Sequence, residues 1–256
     1  AARDRAEKRL KTAALGYAAW KQALWVINYF QLVHDVNGSA FHHVADADLA
    51  MVGKVGNSVK ADNNDGKAGG VAGTYLGASD LEGFQALLMT EQLDNKAELL
   101  LRKLASDGTS LVGFSSSTAA LAYDYQAPLR FFPSTIAVTE QAGQAGADAQ
   151  PTAYAAVSQE SSLSALSGLI GAYAETFALT DSKNTSIGGS ATVKPVFDGD
   201  PFASDNGMAD GEATLHDRSL AILKVALVNL DRLHFDAAAG SLCDTATVAA
   251  AGTVSR

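Results

Sequence analysis

Between Asp198 and Glu212 the chain reads DGDPFASDNGMADGE, so Asp198, Asp200, Asp205, Asn206, Asp210 and Glu212 place six oxygen-bearing side chains within fifteen positions. Hard cations such as calcium take six to eight oxygen ligands, and a glycine-punctuated loop can fold several carboxylates around one ion. Gly199, Gly207 and Gly211 supply that punctuation. The spacing is not that of an EF-hand. The competing reading is a solvated loop whose Asp and Asn residues form turns, with Asp210 capping the helix that follows. Asp62, Asn63, Asn64 and Asp65 pose the same choice, and Asn64-Asp65-Gly66 suits a turn.

Imidazoles are the second group that could do chemistry. His34 precedes His42 and His43 closely enough for a chain reversal to gather them around zinc, copper or iron, or for one to serve haem. Glu212 and His216 stand four residues apart and share a helix face, so both could reach one metal. His216 and His234 are five helical turns apart, about 27 Å, and cannot share an ion. Antiparallel packing of the first and last long helices would bring His216 towards His34; parallel packing would bring His234. The plainer alternative is that all five histidines are helix-end or surface residues. No Cys-x-x-Cys-His or His-Glu-x-x-His run is present, Gly113 to Ser117 (GFSSS) lacks the spacing of a nucleophile elbow, and Gly66 to Gly70 (GKAGG) lacks the closing Lys-Ser/Thr of a phosphate loop.

Apolar periodicity says which elements must hold these residues. Leu215, Ile222, Ala226, Leu230 and Leu233 recur at helical spacing beside a second row, Leu220, Leu223 and Leu227, which predicts a buried helix from Gly211 to about His234. Its polar stripe is Asp217, Lys224 and Asp231, flanked by Arg218 and Arg232. Arg3 to Val33 reads as one long helix rich in aromatics, with Lys21 and Asn28 on a thin stripe expected to meet polar partners inside the fold. These two helices are expected to be neighbours. Trp20, Trp25, Tyr29 and Phe30 serve either the core or a cofactor pocket. Ser79 to Gln92 and Asn95 to Ser106 read as a helical hairpin opened by a capping box, and Pro151 to Leu179 as another long helix. In that last helix Leu163, Leu166, Ile170, Tyr173 and Phe177 form the seam, and Ser164, Gly168 and Gly171 leave room for a second backbone.

The resulting expectation is a mainly α fold, a helical bundle on helices near 3–33, 79–106, 151–179 and 211–234. Long Gly/Asp/Asn-rich loops join them, with at most minor short strands around Leu111 to Phe114, Thr192 to Val196 and Thr245 to Val248. Ser134 to Gln141 is expected to be a short helix, as is Thr118 to Gln126. One domain spans 1–256, with a candidate internal boundary near 143–150 (GQAGADAQ).

Composition narrows the function. A net charge of −9, a pI of about 4.9 and no basic run argue against a nucleic-acid partner. A 47% hydrophobic, 18% charged chain has the makings of a globular core. The lone Cys243 excludes an intrachain disulfide. Ala13 to Val33 is long enough to cross a membrane, but Lys21 and Gln22 near its centre point to a buried helix and no transmembrane segment. Ala1 to Lys11 reads as a helix start or a mature terminus left by cleavage, so the expected location is periplasmic or extracellular. The expected function is a non-enzymatic, exported binding or accessory protein with a cation-stabilised loop and a histidine site for a transition metal or haem. The alternative is a structural subunit of an extracellular or membrane-associated assembly, its small-residue seam and loops serving a protein partner or a homo-oligomer. A metal-dependent enzyme would need convergent ligands that the spacing does not supply.

The acidic loop yields a direct test. If Asp198 to Glu212 holds calcium, the melting temperature rises with calcium concentration by mass action. Asp198→Asn together with Asp200→Asn abolishes that rise and leaves helix content intact. A melting curve indifferent to both calcium and chelator reduces the loop to turns and a cap.

Overall fold

A computed structural model of the chain describes residues 8–29, 89–90, 92–141, 150–180, 215–249 and 252–256; for 27–29, 141 and 150 only the backbone is described. The described part is about 53% helical and 23% strand and carries three small antiparallel sheets. This corrects the expectation of a mainly α bundle with minor strands: the architecture is mixed α and β.

In chain order, β1 (Lys8–Lys11) leads into α1 (Thr12–Tyr29). Helix α2 covers 92–99 and widens into a π-helical turn at Leu100–Leu104. A short α3 (Ser117–Leu121) follows, then β2 (Thr135–Gln141), β3 (Gln150–Ala156) and β4 (Glu160–Ser162). Two core helices come next, α4 (Leu163–Thr180) and α5 (Leu215–Asn229), the latter closing in a second π turn at Leu230–His234. The chain finishes with β5 (Phe235–Asp236), β6 (Ser241–Leu242), β7 (Thr245–Val248) and β8 (Val254–Ser255). The sheets are ordered β1-β2-β3, β4-β7-β8 and β5-β6.

The strands explain where the helical reading failed. Thr135, Ile136, Val138 and Thr139 are β-branched; Thr135 pairs with β1 and Thr139 with β3, while Ile136 lies opposite Leu10 and Ala156 and Val138 opposite Lys8 and Tyr154. Such residues fit a pleated surface better than a helix. Ala153, Ala155 and Ala156 have high helix propensity, but their backbone groups are already committed to β2. The expected helix 151–179 therefore starts only at Leu163. In the same way Lys8–Lys11 is a strand and not the first turn of a helix, because β2 holds it from more than a hundred residues away. Helix α2 runs unbroken through Leu93, Asp94 and Asn95, where a hairpin turn was expected. The segment 142–149 lies outside the described residues, and the strands on either side of it pair, Gln141 opposite Gln150. Of the strand readings, Thr245–Val248 matches its element, Leu111 to Phe114 holds only an isolated bridge at Leu111, and Thr192 to Val196 lies outside the described residues.

Helix α4 is the one the other two long helices pack on. It meets α1 on one side and α5 on another, whereas α1 and α5 make no extensive contact with each other. The two helices expected to be neighbours are thus joined through a third. The main core gathers Ala23 and Val26 of α1, Leu101 of α2, Leu169 and Tyr173 of α4, and Ile222 of α5, all buried. A smaller cluster, Phe131, Leu233, Ala246 and Val248, sits under the C-terminal sheet. No helix among the described residues is long and apolar enough to cross a membrane.

The α1–α4 contact is made backbone to backbone. A methyl on Gly16 would lie 3.0 Å from the Leu169 nitrogen, 3.1 Å from the Gly168 carbonyl carbon and 3.3 Å from the Ala165 oxygen. A methyl on Gly168 would lie 3.2 Å from the Gly16 carbonyl carbon and 3.3 Å from the Tyr17 nitrogen. Neither helix can retreat without opening the core. Gly171 differs: a methyl there would meet only the Trp20 indole, at an ordinary 3.5 Å.

These distances separate three variants. Gly16→Ala and Gly168→Ala are each expected to lower stability by about 1–2 kcal/mol, overpacking outweighing the gain in helix propensity. Gly171→Ala is expected to be neutral or to raise stability by up to about 1 kcal/mol. Urea denaturation checks the order.

Candidate functional site

Helix α5 and its π turn carry four buried polar side chains; Ser219 bonds within the helix to the Leu215 carbonyl, and Arg218, Asn229 and His234 reach other elements. Arg218 stands three residues after Leu215 and four before Ile222, on the apolar face, so its guanidinium enters the core. It donates to both carboxylate oxygens of Asp94 on α2, each at 2.8 Å, and through Nε to Glu98 Oε2 at 3.2 Å. The side chains of Arg218 and Asp94 are only 7% and 13% exposed. Ser117, the first residue of α3, donates to the same Glu98 oxygen at 2.8 Å. Arg218 therefore links α5 to α2, and Glu98 extends the link to α3.

Asn229 makes the second connection. Its amide donates to the Arg130 carbonyl at 2.6 Å, and its Oδ1 accepts from the Tyr123 hydroxyl at 3.2 Å. The same hydroxyl oxygen accepts from the Arg130 backbone N–H at 3.2 Å. Burial raises the pKa of the Tyr123 phenol, so it keeps its proton and its role as donor. Burial, with Asp94 nearby, also pushes Tyr173 up; its hydroxyl donates to the Leu93 carbonyl at 3.1 Å.

The third is His234, with Nδ1 2.8 Å from the Cys243 carbonyl oxygen and Nε2 3.0 Å from Ser161 Oγ. A carbonyl only accepts, so Nδ1 bears a hydrogen, and Nε2 shares a second hydrogen bond with the Ser161 hydroxyl. A serine bonded to an imidazole has the outline of a nucleophile and its base. Here both residues are 0% exposed, and the pair joins the π turn to β4 and β6–β7 as a structural clamp.

A cleft opens at α3. Ser116 caps the helix, its Oγ accepting from the Ala119 N–H at 2.9 Å. Asp124 ends the following turn, its Oδ1 accepting from the N–H groups of Gln126 and Ala127 at 2.9 and 3.0 Å. Phe114, Ala119, Ala122, Tyr123, Ala127, Pro128 and Arg130 line a cleft of about 250 Å³. Phe114 and Tyr123 meet edge to face, centroids 5.8 Å apart. Phe114 is placed by Gly113, whose φ is +59° and where a methyl would fall 2.1 Å from the Arg102 carbonyl oxygen. Only glycine permits that approach.

The sites read from sequence fare unequally. Asp198, Asp200, Asp205, Asn206, Asp210 and Glu212 lie outside the described residues, as do His34, His42, His43 and the cluster Asp62 to Asp65. His216 is described: it stacks on Phe177 with centroids 4.2 Å apart, and its Nδ1 is 3.1 Å from the Thr180 hydroxyl. Among the described residues no group of three His, Cys, Asp or Glu side chains could hold a metal. Lys21 is exposed, its ammonium 5.6 and 5.3 Å from the Tyr17 and Trp20 ring centroids, which corrects the expectation of a polar partner inside the fold. Sequence reading missed Arg218, Asn229 and the cleft. For Arg218 the signal was its place in the apolar row; for the cleft, whose lining falls wholly between Phe114 and Arg130, periodicity does not show that the segment folds around a hollow.

No family model matches this sequence, and no curated protein or solved structure matches it.

Arg218→Leu is expected to cost about 3 kcal/mol, because it strands the Asp94 carboxylate away from water. Adding Asp94→Leu should recover part of that loss. Lys8→Ala, which breaks only the exposed pair with Glu140, should cost under about 1 kcal/mol. Chemical denaturation of the four proteins gives the comparison.

Proposed function

We propose that this chain is a non-enzymatic binding or accessory protein that engages a protein partner by taking one apolar or aromatic side chain into the α3 cleft. The observation that supports this reading is the size and lining of the cleft. At about 250 Å³ it falls below the roughly 300–1,000 Å³ of small-molecule pockets. Its walls are three alanines, a proline and two aromatic rings, with Arg130 as the one charged residue on the lining. A single bulky side chain fits such a space, and burying it contributes about 1.5–3 kcal/mol. Aromatic anchors in small pockets are a common centre of protein interfaces.

The polar groups nearest the cleft are committed to holding its walls. Tyr123 presents its ring while its hydroxyl is bonded inward to Asn229. The Arg130 backbone is held by the same pair, and its Nη1 donates to the Leu129 carbonyl at 2.9 Å. An apolar hollow whose walls are held by these hydrogen bonds, with one guanidinium at its lining, suits binding. Net negative charge supports a protein partner over a nucleic acid.

The test uses N-acetyl-tyrosinamide and N-acetyl-leucinamide as probes, read by backbone amide chemical shifts. Both are expected to shift Ala119, Ala122 and Ala127 in a saturable way, and Ala122→Trp, which fills the hollow from an exposed position, should abolish the shifts. Shifts that are absent, or unchanged by Ala122→Trp, refute the reading.

A further inference from the structure

We infer that the partner is a second copy of this chain, with Tyr17 of α1, flanked by Trp20 and Lys21, as the side chain that the α3 cleft receives. The inference rests on the binding reading of the cleft. Tyr17 is 57% exposed and Trp20 37%, although α1 otherwise lies against the core. Their rings meet edge to face with centroids 6.2 Å apart, and the Lys21 ammonium sits over both. Trp20 is braced from below by Gly171, which leaves the indole room to lie on α4. The result is a fixed aromatic knob.

Knob and hollow are complementary in three respects. The cleft is apolar and of side-chain size, and Tyr17 is the more exposed aromatic of the pair on α1. Lys21 is the only charged residue between Thr12 and Tyr29, and Asp124, exposed beside the lining residue Tyr123, offers it a carboxylate. Arg130 on the lining offers a donor to the Tyr17 phenol oxygen. Helices α1 and α3 do not pack extensively on each other, so the fit is drawn between molecules. Because the two patches differ, the contact is heterologous. Each copy receives one neighbour and inserts into another, which propagates into a ring or a filament.

The experiment is sedimentation velocity on the full chain over a rising concentration series. Wild-type protein is expected to gain mass progressively beyond a dimer. A knob variant, Tyr17→Ser with Lys21→Glu, and a cleft variant, Ala122→Trp, are each expected to stay monomeric, with circular dichroism unchanged. Ala119→Arg serves as a second cleft variant at another exposed position. An equimolar mixture of knob and cleft variants keeps one working surface on each molecule, and should form a dimer and stop there. A monomeric wild type, or single variants that assemble as wild type does, overturns the inference. A monomeric wild type that still binds N-acetyl-tyrosinamide overturns the self-association alone; one that binds no probe overturns the cleft reading with it.

Discussion

Arg218, Asn229 and His234 lie along one helix and its closing turn, and each must find hydrogen-bond partners inside a core that contains little water. An unpaired polar group there would cost a few kcal/mol, and an unpaired charge more. The partners are distant in the chain: Asp94 is 124 residues from Arg218, Arg130 is 99 from Asn229, and Ser161 is 73 from His234. Satisfying all three at once fixes α2, the segment around Tyr123 and Arg130, and strand β4 against α5. An apolar α5 could slide or rotate against its neighbours at modest cost. With these bonds it has one register.

The α3 cleft follows from the second of those attachments. Tyr123 is held by its hydroxyl, so its ring cannot rotate into the hollow and close it. Ser116 and Asp124 fix the turns before and after, and Gly113 brings Phe114 up to form the opposite wall. Three local devices and one long-range hydrogen bond thereby keep an apolar surface open to solvent. Left to itself such a surface would collapse to shed water.

On the other side of α4 the constraint is steric. Gly16 and Gly168 let α1 and α4 meet at backbone distance, which brings Trp20 down onto Gly171 and turns Tyr17 outward. The exposed aromatic pair is thus a by-product of close packing beneath it. Small residues at the crossing and large ones at its rim come from the same geometry.

The sequence alone determined the helical nature of α1, α4 and α5, the closeness of a second backbone at Gly168, and the strand at Thr245–Val248, because those depend on spacing within a few turns of chain. Only the tertiary structure decided the rest. Ala153 to Ala156 favour a helix locally, and became a strand because β2 offered its backbone a partner. Arg218 reads as the edge of a solvated stripe, and is buried because Asp94 and Glu98 on another helix neutralise it. The lining of the α3 cleft lies within one window, Phe114 to Arg130, but nothing in that window shows that it folds around a hollow. Its walls are held in place by bonds from Asn229, 106 residues from Tyr123 and 99 from Arg130, and periodicity records only what a residue's near neighbours do.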